Sequence, residues 1–219
     1  MNYAGRTIAY LCHPLLMCFG LVLFAYAADP YGYRLDDPRQ LQLIFIMAFF
    51  ILVLFPLLST LLFGALDLVP SIHLPKREHR IGPLIATTLF YIWFFVNVKG
   101  NVSLPDTLVY VSLGSAISVG LAFFMNNFSK ISLHAVGAGS LLMGMIVLVF
   151  HQELSHFEFV ISAVEVYRVS SIFALFLAII LSGLIGTSRL VTGAHRPNDV
   201  GGGFVVGIIS QLAAYNIIY

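Results

Sequence analysis

The segment SRLVTGAHRPND, residues 188–199, carries the side chains of this sequence that are best suited to chemistry. His195 and Asp199 are spaced i, i+4. A carboxylate bonded to one ring nitrogen of a histidine fixes the tautomer and leaves the other nitrogen free as a nucleophile. Pro197 fits the start of a helix, with Asn198 or Asp199 near its N-cap. The segment therefore predicts a histidine nucleophile that Asp199 orients beside a helix start.

Two other polar stretches supply mainly cations and further histidines. They are HLPKREHRIGP, residues 73–83, and KISLHA, residues 130–135. His134 is suited to protonating a leaving oxygen. The cations of the three stretches are Lys76, Arg77, Arg80, Lys130, Arg189 and Arg196. Many cations around two histidines make a poor metal site and a good site for phosphate. We therefore expect phosphate chemistry that uses no metal and no other cofactor.

The elements that must position these side chains are membrane helices. The chain has 219 residues, of which 59% are hydrophobic and 10% charged, with a mean hydropathy of +0.95. A soluble domain carries about 25% charged residues. Long apolar runs without strand-period alternation predict an all-α, polytopic membrane helix bundle rather than a barrel. The net charge of +1 gives no support to a nucleic-acid partner. We expect one integral membrane domain, residues 1–219, whose catalytic core is 130–219.

Apolar runs long enough to cross a bilayer, roughly 17–25 residues, number about seven. They are residues 8–28, 42–68, 84–98, 106–127, 133–151, 169–187 and 199–218. Six spans plus one re-entrant or tilted segment are the alternative, because the third run is short. Pro56 predicts a kink in the second run. His13, beside Pro14 in the first run, is interpreted as a packed or helix-kink residue.

The order of these runs predicts where the polar stretches meet. Two spans separate 73–83 from 130–135, and two more separate 130–135 from 188–199. Since an even number of crossings returns the chain to the same membrane face, all three stretches are expected on one face. The glycines Gly201, Gly202 and Gly203 are expected to permit close helix approach beneath the site. Residues 153–168 mix charged and apolar side chains and are expected to lie in the membrane interface as an amphipathic segment.

Two of these stretches resemble motifs of a known family. SRLVTGAHRPND matches S-R-x5-H-x3-D, the third motif of the type 2 phosphatidic acid phosphatase superfamily. KISLHA resembles the second motif, P-S-G-H, with Ile131 and Leu133 in place of the proline and the glycine. The first motif, K-x6-R-P, does not match cleanly, since KREHRIGP has a different spacing. The resemblance covers residues 130–219.

The resemblance implies a helical membrane core that removes phosphate from a lipid phosphate or lipid diphosphate through a phosphohistidine intermediate. It implies that His195 is the nucleophile, that Asp199 orients and activates it, and that His134 is the general acid. Arg189 and Ser132 are implied to hold phosphate oxygens. Lys130 is expected to supply the cation that the first motif lacks, and the loop residues Arg80 and Lys76 are further candidates for phosphate binding.

Three functions fit the sequence. The first is a metal-independent lipid phosphatase that acts on phosphatidic acid, phosphatidylglycerol phosphate or undecaprenyl diphosphate. The second is a lipid phosphotransferase with the same histidine chemistry, in which a lipid hydroxyl replaces water. The third is a phospholipid transporter that uses the basic cluster only for binding. All three require the bilayer and a lipid phosphate as partners. The expected location is a bacterial cytoplasmic membrane.

Overall fold

The computed structural model describes residues 3–35, 37–69, 76–160 and 165–219. Its helices are α1 (Tyr3–Leu11), α2 (Pro14–Ala28), α3 (Pro38–Phe49), α4 (Phe55–Ala65), α5 (Ile81–Lys99), α6 (Asp106–Asn126), α7 (Leu133–His151), α8 (Ser171–Val191) and α9 (Pro197–Ile218). A π-helical turn, Phe50–Leu54, joins α3 to α4, and a 3-10 turn, Glu78–Arg80, precedes α5. The strands are β1 (His156–Val160) and β2 (Val166–Ser170).

Six helical segments of the described chain are long and apolar enough to cross a membrane. They are the α3–α4 rod (Arg39–Ala65), α5 with its 3-10 turn (Glu78–Lys99), α6, α7, α8 and α9. The tightest part of the bundle is formed by α6, α7 and α9, and α2 packs on the α6–α7 side. The chain is therefore an integral membrane protein, and the predicted all-α polytopic bundle is confirmed.

The first apolar run, residues 8–28, is not one continuous span, which corrects the count of seven. Helix α1 ends at Leu11, and α2, with 15 residues, begins at Pro14. Proline cannot continue α1 because its ring clashes with the preceding turn, but it fits the first position of α2. His13 is the N-cap of α2, and its Nδ1 accepts a hydrogen bond from the Leu15 N–H. The interpretation of His13 as a kink residue is confirmed.

The disruption expected at Pro56 takes the form of the π-helical turn that precedes it. Proline has no N–H to donate to the carbonyl four residues earlier, which belongs to Leu52. The hydroxyl of the fully buried Tyr91 donates to that carbonyl at 3.1 Å. An unpaired carbonyl is costly in a bilayer. Tyr91 therefore satisfies the group that Pro56 frees and attaches α5 to the α3–α4 rod.

Glycine allows α9 to lie directly on α7. A Cβ atom on Gly203 would stand 2.6 Å from the carbonyl oxygen of Ser132, and one on Gly207 would overlap the carbonyl of Val136. The expected close approach is thus confirmed at Gly203. It is wrong for Gly201, where a Cβ would meet open space, and for Gly202, where it would make only ordinary van der Waals contact. Only one of three consecutive glycines points at α7 because helical side-chain positions rotate by 100° per residue.

Residues 153–168, which were expected to lie in the membrane interface, contain strand β1 and the start of β2 of a β-hairpin. Strands β1 and β2 pair antiparallel, with Glu158 opposite Arg168, and these two side chains form an ion pair of 2.8 Å. Phe157 is fully buried and packs edge-to-face on Phe24, with ring centroids 5.1 Å apart. The hairpin is therefore attached to α2, at the end of the bundle where α7 ends and α8 begins.

Candidate active site

The three polar stretches meet at one end of the bundle, as the parity of the spans predicts. Arg80 donates a hydrogen bond of 3.0 Å to the carbonyl of Ile131, which lies between Lys130 and Ser132. The Ser132 N–H donates to the carbonyl of Asp199 at 3.0 Å. The first stretch is thus bonded to the second, and the second to the third.

Within the stretch 73–83, Arg80 is the cation that enters the site. It is 8% exposed and lines the same cavity as Arg189 and His195. Arg77 instead serves as an anchor, because it donates to the carbonyls of Asn127 and Phe128 at 3.0 and 3.2 Å. Lys76 is exposed and does not line the cavity. Residues 73–75 lie outside the described part of the chain.

His195 is buried just before α9, in the short connection that follows α8. Its Nδ1 lies 3.9 Å from Asp199 Oδ2, which is beyond hydrogen-bond distance. Asp199 Oδ2 instead accepts the backbone N–H of Arg196 at 3.0 Å. Arg196 is the N-cap of α9 and Asp199 the N3 residue of a capping box. The helix thus starts at Pro197 with Asp199 in its first turn, as expected, but the expected contact of Asp199 with His195 is not made.

Two buried nitrogens of the site have no hydrogen-bond partner among the described residues. They are Nδ1 of His195 and Nε of Arg189. Both side chains line the cavity. Buried polar atoms are nearly always paired, and an exception calls for a ligand or water. An anionic ligand in the cavity would satisfy the guanidinium of Arg189.

The electrostatic environment keeps His195 neutral. Burial, followed by the cations Arg80, Arg189 and Lys130, lowers its pKa from 6.5 to about 4, while Asp199 opposes them. The pKa of Lys130 is also lowered, first by the burial of Lys130 itself and then by the neighbouring Arg80. At neutral pH the His195 imidazole therefore carries a free lone pair, which a nucleophile requires.

The second histidine of the site, His134, lies in the first turn of α7. Its Nε2 is 3.0 Å from the carbonyl oxygen of Ala9 in α1. The His13 ring packs against it edge-to-face, with ring centroids 5.9 Å apart. His134 and His195 line one cavity. The involvement of α1 escaped the sequence interpretation, because a backbone carbonyl carries no side-chain signal.

Ser132 and Lys130, two other predicted phosphate ligands, lie beside the cavity without lining it. Ser132 is fully buried, and its hydroxyl caps α7 by accepting the Ala135 N–H at 3.4 Å. Lys130 is half-buried and close enough to His195 to influence its charge. Ser132 thus holds the α7 start against α9, while Lys130 adds positive potential.

The cavity has a volume of about 690 Å³ and two chemically different ends. Its polar end is formed by Arg80, His134, Arg189 and His195. The rest is lined mainly by apolar side chains of α2, α4, α5 and α6, among them Leu15, Leu57, Leu61, Leu84 and Val119. Leu57 and Leu61 are each 42% exposed. The cavity therefore suits a molecule with an anionic head and an apolar tail.

Comparison with known proteins gives one match. Residues 105–219, just over half of the chain, match the family model described as the PAP2 superfamily. The matched part contains Lys130, Ser132, His134, Arg189, His195 and Asp199. It does not contain Arg80 or helix α1. Neither a curated protein nor a solved structure gives a significant match.

Proposed function

The chain belongs to the PAP2 superfamily, whose members are phosphatases, and from that premise we propose that it hydrolyses a lipid phosphate or lipid diphosphate in the membrane. The observation that carries the proposal is the two-ended cavity. Two arginines and two histidines form the polar end of the cavity, which suits a phosphate headgroup. The apolar end lies among the membrane-spanning helices and suits a lipid tail. Phosphatidic acid, phosphatidylglycerol phosphate and undecaprenyl diphosphate have this chemistry. We expect the protein in a bacterial cytoplasmic membrane.

Arg80 and Arg189 bind the phosphate oxygens in this proposal. Guanidinium groups match the geometry of phosphate and remain charged when buried. Arg80 comes from outside the residues that match the family, and its hydrogen bond to the Ile131 carbonyl aims it at the site. It therefore takes the place of the first-motif cation that the sequence lacks at the usual spacing. Lys130 contributes positive potential from the side of the cavity.

The first chemical step is attack by His195 on phosphorus. The imidazole lone pair forms the N–P bond as the bond from phosphorus to the leaving oxygen breaks. His134, which takes up a second proton when the anionic substrate binds beside it, gives that proton to the leaving oxygen and becomes neutral. Asp199 stabilises the positive charge that develops on His195, once its carboxylate closes the 3.9 Å gap to Nδ1. Its second oxygen remains able to accept the Arg196 N–H, so a shift of about 1 Å achieves both bonds.

The second step returns the enzyme to its starting state. Water attacks the phosphorus atom of the phosphohistidine, and His134, now neutral, accepts the proton of that water. The N–P bond breaks, its electron pair returns to His195, and inorganic phosphate leaves. A phosphotransferase would differ only in using a lipid hydroxyl in place of water.

The test uses purified protein in nanodiscs with a panel of the three lipid substrates. We expect release of inorganic phosphate in the presence of EDTA, inhibition by vanadate, and loss of release in His195→Ala. His151→Ala is the matched control, because His151 ends α7 about 25 Å from His134. Activity that EDTA abolishes and His195→Ala retains would contradict the proposal. Phosphate transfer to an added lipid alcohol without release would favour the phosphotransferase.

A further inference from the structure

Helix α1 and the break after it bring two groups to His134 from outside the family-matched residues. The Ala9 carbonyl lies 3.0 Å from His134 Nε2, and His13 packs on the same imidazole. All three residues line the cavity. Helix α1 rests on α8, the helix that carries Arg189. The contact is thus part of the site and not a remote packing detail.

The contact with Ala9 settles which nitrogen of His134 carries a fixed proton. A carbonyl oxygen only accepts hydrogen bonds, so Nε2 must be the donor. The neutral imidazole then has its lone pair on Nδ1. Any proton that His134 exchanges with a substrate must pass through Nδ1, because Nε2–H is held. The carbonyl thus fixes the orientation of the ring. In other histidines, too, a hydrogen bond from one ring N–H to a carboxylate or a carbonyl fixes the tautomer and the ring orientation.

The position of Ala9 depends on the cap of the next helix. The chain turns between Leu11 and Pro14, and His13 holds this turn by accepting the Leu15 N–H through Nδ1. Without that acceptor, the first turn of α2 loses its side-chain cap and is destabilised. The angle at which α1 leaves α2 is then less well defined, and so is the direction of the Ala9 carbonyl.

We propose that His13 is a positioning residue for the general acid: its cap on α2 fixes the α1–α2 turn, and the turn presents the Ala9 carbonyl that holds His134 in the Nε2–H tautomer. The consequence for the reaction rests on the proposed function. His134 then exchanges its proton through Nδ1 in both steps. The tautomer itself does not rest on that function and is measurable without substrate.

The first experiment is ¹⁵N NMR of the full chain in nanodiscs with labelled histidine. Signals of His134 are assigned by their loss in His134→Gln. We expect Nε2 protonated and Nδ1 unprotonated in the wild type, and a mixture of tautomers in His13→Ala. An Nδ1–H tautomer in the wild type, or an unchanged tautomer in His13→Ala, would overturn the inference whether or not the protein is a phosphatase.

The second experiment distinguishes the capping of α2 by His13 from the packing of its imidazole ring on His134. Asparagine is a good N-cap and lacks the imidazole, whereas leucine fills space and cannot cap. We expect kcat to fall about 10- to 100-fold in His13→Ala and His13→Leu, with KM little changed, because misplacing a catalytic group acts on the transition state. His13→Asn should restore kcat to within about threefold of the wild type, since the cap alone positions α1. A His13→Asn variant as slow as His13→Leu would overturn the role of the cap.

A matched control removes a cap elsewhere. Asp37 is the N-cap of α3, where it accepts the Arg39 N–H at 2.8 Å. Asp37→Ala therefore removes the same kind of side-chain cap, far from His134. We expect its kcat and its His134 tautomer to equal those of the wild type. A fall in kcat in Asp37→Ala equal to that in His13→Ala would show that general destabilisation, and not positioning, explains the loss.

Discussion

The guanidinium of Arg80 and the carbonyl of Ile131 are joined by a hydrogen bond of 3.0 Å across 51 positions of sequence. This bond ties the loop before α5 to the loop before α7. It places a buried cation beside Arg189 and His195 in one cavity. The charges of the loop before α5 thus divide into one cation inside the site and others on its outer surface.

That division predicts different effects for two neighbouring cations. We expect Arg80→Gln to lower kcat/KM for a lipid phosphate by about 10²-fold or more, because a buried, charge-assisted phosphate contact is worth about 1.5–3 kcal/mol and also stabilises the transition state. Lys76→Gln should stay within about twofold, since exposed charges contribute little. Steady-state kinetics on both variants is the measurement. Equal losses in the two would contradict the assignment of Arg80 to the site.

The low pKa of His195 predicts a pH profile. Only neutral His195 attacks phosphorus, so kcat/KM should be lost as the pH falls through about 4. Arg80→Gln removes a cation that lowers this pKa, and the acid limb should move toward higher pH. Lys99→Gln, at the far end of α5, should leave the limb in place. An acid limb that stays near its wild-type position in Arg80→Gln would contradict the electrostatic coupling.

The same shift links His195 to folding stability. The folded pKa lies below the ordinary value of 6.5, so the unfolded chain binds more protons between about pH 4 and 6.5. The contribution of His195 to stability is therefore present above pH 6.5 and is lost as the pH falls through this window. This dependence of stability on pH has the opposite sign to that of a histidine stabilised by an ion pair with a carboxylate.

The convergence of the site was predictable from span parity, but its contacts were not. The i, i+4 spacing of His195 and Asp199 suggested a direct bond, as it would on one helix. The helix begins only at Pro197, so His195 precedes it and the helical rule does not apply. Pro197 was the sequence signal for the first helical position, and it places Asp199 in the first turn. A carboxylate at that position accepts a hydrogen bond from the backbone N–H of the N-cap residue.

Other features carry no pattern that sequence reasoning detects. The Ala9 carbonyl is a backbone group, and its contact with His134 depends on how α1 leaves α2. The bond from Tyr91 to Leu52 depends on the packing of α5 against the α3–α4 rod, although Pro56 indicates which carbonyl is freed. The helices and their membrane character follow from composition and run length, which are local properties. Contacts between helices are not local.

The leaving group predicts how much His134 matters. An alkoxide leaving from phosphatidic acid is a strong base and needs a proton, whereas the phosphate leaving from a lipid diphosphate is a far weaker base. We expect His134→Gln to lower the rate of phosphohistidine formation by about 10²- to 10⁴-fold on the monoester, the usual contribution of a general acid. The loss on the diphosphate should be smaller. Single-turnover measurements with both substrates test this, and equal losses would contradict the role of His134 as the acid.

The α7–α9 contact predicts a contrast between two glycines. Gly207→Ala places a methyl group against the Val136 carbonyl, and overpacking of this kind costs about 1–3 kcal/mol. Gly201→Ala meets open space and should be neutral or stabilising, because alanine loses less backbone entropy in a helix. Thermal unfolding in detergent, followed by the fluorescence of Trp93, measures both. An equal midpoint for the two variants would contradict the close approach at Gly207.

The apolar part of the cavity predicts selectivity for chain length. Val119 lines the chamber from α6, and Val119→Phe should displace about two methylene groups of a bound lipid tail. Each buried methylene is worth about 0.8 kcal/mol, so the loss is about 1.6 kcal/mol, or roughly tenfold in kcat/KM for a long-chain substrate. A lipid phosphate with tails too short to reach Val119 should be hydrolysed at the wild-type rate. The control is Val102→Phe, at a side chain 93% exposed outside the chamber. If Val119→Phe lowered kcat/KM equally for long and short tails, the chamber would not be the place where the tail binds.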